Sequence, residues 1–158
     1  MPVNFIDIPL APWAVLQEGI HNLSLDEFEE LFVFNPHRRK QFYGLVEAMK
    51  ALKYAGCSRL YIDGSYVTKK PYPGDYDACW DVDNVQRDRL DDVFLEFSNG
   101  RAQQKEKYEG EFFPAQWNAD NKPTRYIDFF QKEKHSGGQK GIVLLNLEDI
   151  LAHEKGDR

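Results

Sequence analysis

Apolar residues recur along this chain with two different periods, and each change of period marks a new element. The positions Phe42, Leu45, Val46, Met49 and Leu52 fall three or four apart, the spacing that gathers side chains on one face of an α-helix. Asn35-Pro36 supplies a cap and a first-turn proline, so the helix is predicted to run from Pro36 to Tyr54 and to close at Gly56. Upstream, Ser24-Leu25-Asp26-Glu27 has the form of a capping box opening a short helix to about Phe32. Beyond the long helix the period drops to two. Leu60, Tyr61 and Ile62 predict a strand over Arg59–Ile62, and the alternating run Asp75–Asp81 predicts a second. Glu111–Ala115 predicts a third, and Gly141–Leu145 is the clearest apolar strand of the C-terminal half.

The stretches between these elements are less regular. Val85 to about Lys107 is polar with an apolar subset (Leu90, Val93, Phe94, Phe97) and predicts helix broken near Asn99-Gly100. Thr124 is placed to cap a short helix through Phe129, Phe130 and Gln131, and Gly137-Gly138 marks a turn. Residues 1–23, with Pro2, Pro9 and Pro12 among the anchors Phe5, Ile8, Leu10 and Trp13, predict an irregular strap over the core. The residues from Ala152 onward are expected to fray. No repeat and no linker interrupts the pattern. One domain over residues 1–158 is expected, with 1–34 as strap and short acidic helix.

The second strand carries chemistry. In an extended chain, residues two apart share a face and lie about 6.6 Å apart. Asp75 and Asp77 therefore point one way, and Tyr76, Ala78 and Trp80 the other way, into a core. The bland alternative is a turn between strands with surface aspartates. Against it, Cys79 and Trp80 continue the same strand and mark it as buried, and a buried strand carries two unneutralised carboxylates only at high cost. Like charges at short range raise one another's pKa. A hard divalent ion such as Mg2+, which prefers oxygen ligands and keeps positions open for phosphate oxygens, would satisfy the pair. Ten and twelve residues before these two acids, respectively, the first strand ends in the small-residue turn Gly64-Ser65.

Gly64-Ser65, a nine-residue spacer and Asp75-Tyr76-Asp77-Ala78 together resemble the signature of the polymerase-β-type nucleotidyltransferase superfamily, especially its minimal branch. The string around it also looks like a group of short uncharacterised bacterial proteins with this core. The resemblance covers residues 58–81, and Asp63 departs from it, since a hydrophobic residue usually precedes the glycine. It implies that Gly64 and Ser65 hold the phosphates of a nucleoside triphosphate, that Asp75 and Asp77 bind two Mg2+ ions, and that a nucleoside monophosphate is transferred to an acceptor. A third carboxylate is then wanted from a neighbouring strand. Glu111 is the first candidate by strand order, and Asp128 the second. Lys69 and Lys70, in the loop after Ser65, either meet the triphosphate or are solvated. Small members of the superfamily act as antitoxins that modify a partner toxin, on RNA ends or on small molecules. The alternative function is a catalytically degenerate fold serving as a protein-binding antitoxin. Either way the fold expected is α/β (α+β), a small mixed sheet of three to five strands with helices mainly on one face.

Composition and charge narrow the partners. The chain is 42% hydrophobic and 29% charged, with a net charge of −6, as in soluble globular proteins. Residues 1–37 hold six acids and no Lys or Arg, while the remaining twenty acidic and twenty basic residues cancel. That balance argues against broad nonspecific nucleic-acid binding, which needs a basic surface. No 18-residue apolar run and no signal pattern exists, so neither membrane insertion nor secretion is expected. Cys57 and Cys79 read as buried thiols in a reducing cytoplasm, with a disulfide as the alternative. His37, Arg38, Arg39 and Lys40, unfavourable at a helix start, either pair with the acidic helix before them or bind an anion. Asp75, Asp77, Asp81 and Asp83 lack the spacing of a calcium loop. The four histidines are scattered, and no Walker or nucleophile-elbow pattern occurs, which leaves zinc hydrolases, P-loop enzymes and serine hydrolases unsupported.

Overall fold

The computed structural model describes residues 3–119, 123–133 and 135–156. Its elements are β1 (Phe5–Ile6), β2 (Val15–Leu16), β3 (Ile20–Leu23), α1 (Leu25–Phe32), α2 (Pro36–Tyr54), β4 (Arg59–Asp63), β5 (Tyr76–Trp80), α3 (Ser98–Tyr108), β6 (Gly110–Pro114), α4 (Tyr126–Phe129), β7 (Ile142–Asn146) and α5 (Asp149–Gly156). Short 3-10 turns follow β4 (Gly64–Val67) and precede α3 (Asp92–Leu95). This is a mixed α/β fold with a five-stranded sheet in the order β3-β7-β4-β5-β6 and a two-stranded sheet of β1 and β2. The β3–β7 and β5–β6 pairs are parallel, and the two central pairs are antiparallel.

Local chemistry sets the helix starts. Ser24 and Glu27 complete the capping box of α1, and the Asn35 side chain accepts from the Arg38 backbone N–H at the head of α2. The α2 stripe buries Phe42, Leu45, Met49 and Leu52 against Leu60 and Ile62 of β4 and Tyr76, Ala78 and Trp80 of β5. Phe28, Phe32, Phe94 and Phe112 fill the rest of this face with rings. The opposite face of the sheet carries a smaller cluster of Tyr61, Cys79, Phe113, Ala115, Tyr126 and Ile142. Residues of α1, α2, α3 and α5 enter the larger cluster, and α4 packs on the smaller one.

Several expectations are corrected. Residues 1–23 are not irregular throughout: they supply β1, β2 and the edge strand β3, whose Ile20–Leu23 pairs with Ile142–Leu145. The segment 85–107 is helical only in α3, after the 3-10 turn, and its break is sharper than a glycine kink. Asn99, Gly100 and Arg101 all adopt left-handed backbone angles, with φ of 55°, 62° and 61°. Thr124 does not cap α4. Arg125 occupies the cap position, without a side-chain hydrogen bond. The chain beyond Ala152 continues as helix to Gly156.

Of the two roles expected of the basic start of α2, pairing with the acidic helix before it is met by Arg39, while the other side chains find partners elsewhere. Arg39 pairs with Glu29 of α1, and Lys40 lies 3.6 Å from Glu109. His37 Nε2 contacts the Pro73 carbonyl at 2.6 Å. Arg38 is fully buried and donates to the carbonyls of Phe32, Tyr66, Thr68 and Lys70 at 2.6–3.2 Å. Burial pushes Arg38 down to about 10, so it is still charged at neutral pH. Its guanidinium therefore holds the loop after β4 by its backbone and fixes where that loop leads.

Candidate metal centre

The register of three adjacent strands lines up three acids. Asp63 at the end of β4 stands opposite Asp77 of β5, and Asp77 stands opposite Glu111 of β6. Their side chains share the face that carries Tyr61, Cys79 and Phe113 one pair-step further along the strands. Asp75, just before β5, points the same way, and one carboxylate oxygen each from Asp75, Asp77 and Glu111 lie within 4.8 Å of one another. Gly64 closes the back of the row. Its φ of +76° lies in the left-handed region, and a Cβ there would collide with the Asp77 carboxylate. The turn it begins leaves Ser65 half-buried. The Ser65 carbonyl accepts from the Thr68 hydroxyl at 2.6 Å, while its own hydroxyl is uncommitted among the described residues.

Burial and mutual repulsion dominate the electrostatics. Asp77 is pushed well above the usual carboxylate range, first by burial, then by the charges of Asp75 and Glu111. Asp63, fully buried, is raised by burial and then by Asp77. Asp75 is raised by burial and by Glu111, against the opposing pull of Lys105 and Lys70. One buried oxygen of Asp63 and one of Asp77 lack a hydrogen-bond partner. Carboxylates in this state want a proton or a cation. Three convergent oxygens, an orphaned buried oxygen and no nitrogen or sulfur in the set fit a hard divalent cation such as Mg2+ or Mn2+.

The sequence-predicted residues divide clearly. Asp75, Asp77, Glu111 and Gly64 meet. Lys70 acts on Asp75 electrostatically, and its ammonium lies 5.9 Å from the Trp13 ring centroid. Lys69 turns away, with its ammonium 4.1 Å over the Phe5 ring of the N-terminal strap. Asp128 is not part of the row: it pairs with Arg125 at 3.2 Å, one turn away on the surface. Three residues were missed. Asp63, the residue that departs from the resemblance before the glycine, stands in the row opposite Asp77. Lys105 reaches over from α3 to 3.7 Å from Asp75 and 3.8 Å from Glu111, and Lys140 lowers the pKa of both Asp63 and Asp77.

A second acidic group, Asp26, Glu29 and His153, joins α1 to α5. Glu29 is already engaged by Arg39 and by His153 at 3.0 Å, so this group is a helix-to-helix tie. Cys57 and Cys79 are buried free thiols. Among the described residues, no helix is long and apolar enough to cross a membrane.

The fold and site thus define a mixed α/β protein with a row of acids across three strands at one end of its sheet. The chain belongs to the DUF6932 family, a family of unknown function, whose profile matches residues 9–146. No curated protein matches the chain, and no solved structure does.

Proposed function

We propose that the protein is a divalent-metal-dependent nucleotidyltransferase of the minimal type. The observation that carries this reading is the convergence of Asp75, Asp77 and Glu111 on one point beside the Gly64-Ser65 turn. Asp75, Asp77 and Glu111 would hold Mg2+, which when bound neutralises phosphate charge and polarises the α-phosphorus. The backbone of Gly64 and the hydroxyl of Ser65 would hold the terminal phosphates, with Lys70, in the loop that follows, offering them a cation. In the transfer, an acceptor hydroxyl oxygen bonds to the α-phosphorus and the bond to the bridging oxygen breaks, releasing pyrophosphate. The hydroxyl proton passes to Glu111, which is partly open to solvent, whereas Asp63 is sealed in. The acceptor is a partner protein such as a toxin, or an RNA end. The two buried thiols support a cytoplasmic location.

A second reading is favoured by Lys105. Its ammonium bridges Asp75 and Glu111 where a cation would sit, as it would in a domain that has given up catalysis and blocks a partner toxin by contact alone. Incubation with α-labelled nucleoside triphosphates, Mg2+ and a candidate acceptor separates the two readings. Labelled acceptor with release of pyrophosphate supports transfer. Partner binding that survives loss of both Asp75 and Asp77 supports the second.

A further inference from the structure

Arg101 is a half-buried cation with no acid paired to it among the described residues. Its Nε donates to the Phe112 carbonyl at 3.2 Å. The guanidinium carbon lies 3.9 Å from the Phe113 ring centroid and 4.8 Å from that of Phe97. Its two terminal nitrogens make no hydrogen bond among the described residues. Neither terminal nitrogen is sealed from solvent, so both N–H edges are open to an anion. The chain holds it there through three successive left-handed residues, two of them not glycine, a conformation that L-residues adopt at a cost.

Its place relative to the acid row gives that anion a setting. Arg101 is bonded to Phe112, the residue after Glu111, and Lys105 further along α3 reaches Glu111 itself. Phe113 stands opposite Cys79, whose thiol lies 3.4 Å from Asp63. Arg101 therefore sits on the acid-bearing face, about one strand step from the row. Beside it, the Trp117 ring meets Phe97 edge-on at 6.3 Å and is 49% exposed. A guanidinium with free N–H edges suits a phosphate, which it can grip with two parallel hydrogen bonds. An open aromatic ring next to it suits a base, through stacking that every base can offer.

We propose that Arg101, Phe97 and Trp117 form the acceptor seat, taking a nucleoside phosphate with its phosphate on Arg101 and its base on Trp117. The seat rests on the nucleotidyl-transfer reading of the acid row, with a nucleotide-bearing acceptor such as an RNA end rather than a toxin. Its ligand is either a free nucleotide or the end of a single-stranded polynucleotide.

The test is calorimetric titration of the full chain in EDTA, so that metal at the acid row plays no part. The probes are adenosine monophosphate, a 5′-phosphorylated oligoadenylate and inorganic phosphate. The seat predicts binding of a nucleotide probe, stronger than inorganic phosphate, weakened about tenfold or more by Arg101→Met. Trp117→Ala weakens it too, and both variants keep the wild-type melting temperature. The tighter of the two nucleotide probes identifies the source of the ligand. Should Arg101→Met fail to fold, Trp117→Ala carries the test alone, since it alters an exposed ring. Absence of nucleotide binding, or binding that neither substitution changes, overturns the seat. Asp77→Asn separates the two claims: it should abolish Mn2+ binding by the wild-type protein and leave nucleotide binding in EDTA intact. Nucleotide binding without any wild-type Mn2+ binding would remove the nucleotidyl-transfer reading and keep the seat.

Discussion

Asp77 and Glu111 face each other across the parallel pair β5–β6, with a carboxylate oxygen of each within 4.8 Å of the other. Ionising Asp77 there sets a buried charge beside a like charge, which a cation between them would relieve. Asp77→Asn removes one charge from the row and keeps its shape. The metal-free variant should unfold at higher denaturant concentration than the wild type, because a buried repulsion is gone, while its affinity for Mn2+ collapses. Urea unfolding in EDTA, set beside Mn2+ titration, reads both.

The same repulsion makes stability depend on pH. The folded-state pKa values of Asp63 and Asp77 are raised well above their ordinary ones. Between the ordinary carboxylate range and those raised values, the folded protein holds more protons than the unfolded chain, so stability falls as pH rises. In chelator, the melting temperature should therefore drop from about pH 5 to about pH 8. Millimolar Mg2+ should restore it most at the upper end, since a ligand of the folded state stabilises by mass action. Melting curves at the two pH values, with and without Mg2+, check both parts.

Lys105 competes for the same oxygens. Its ammonium lies 3.7 Å from Asp75 and 3.8 Å from Glu111, with the lysine side chain 42% exposed, so it contributes little to stability. Lys105→Ala should raise Mn2+ affinity severalfold and leave the melting temperature close to wild type. An unchanged or weaker affinity would mean that the lysine does not occupy the cation's place.

Gly64 is required by conformation and by space together. Gly64→Ala puts a side chain in the left-handed region, at roughly 1–2 kcal/mol, and drives its Cβ into Asp77. It should lower both stability and Mn2+ affinity, read by urea unfolding and titration.

Arg38 ties the loop after β4 to α2 through three carbonyls and the end of α1 through a fourth, that of Phe32. Arg38→Met leaves those acceptors without their donor in a buried site, which should cost at least about 3 kcal/mol. Lysine would not rescue it, because an ammonium lacks the planar fork that reaches several carbonyls at once. Urea unfolding of both variants tests this.

How far the sequence could be read follows from the range of each interaction. The α2 stripe, the Ser24 and Asn35 caps and the alternation in β5 are local, and they were legible. So was the spacing that joins Gly64 to Asp75 and Asp77, and strand order alone was enough to rank Glu111 above Asp128. Asp63 was not legible as a member of the row, because its place depends on the β4–β5 register, which brings it opposite Asp77. Lys105 lies in a polar helix with nothing to set it apart from solvated lysines until α3 is docked beside β6. Arg38 looked like one of four basic residues at a helix start, and only the tertiary path of residues 66–70 gives it carbonyls to hold. Strand β3 was hidden because its pattern, Ile20-His21-Asn22-Leu23, belongs to an edge, with only Leu23 buried.

The central claim is that Asp75, Asp77 and Glu111 make one site for a divalent cation. Titration of Mn2+ into the metal-free protein, followed by the loss of the free-ion electron paramagnetic resonance signal, tests it most directly. Saturable binding that disappears in Asp77→Asn and weakens in Glu111→Gln is the predicted result. Absence of binding by the wild type, or binding that survives Asp77→Asn unchanged, would contradict it.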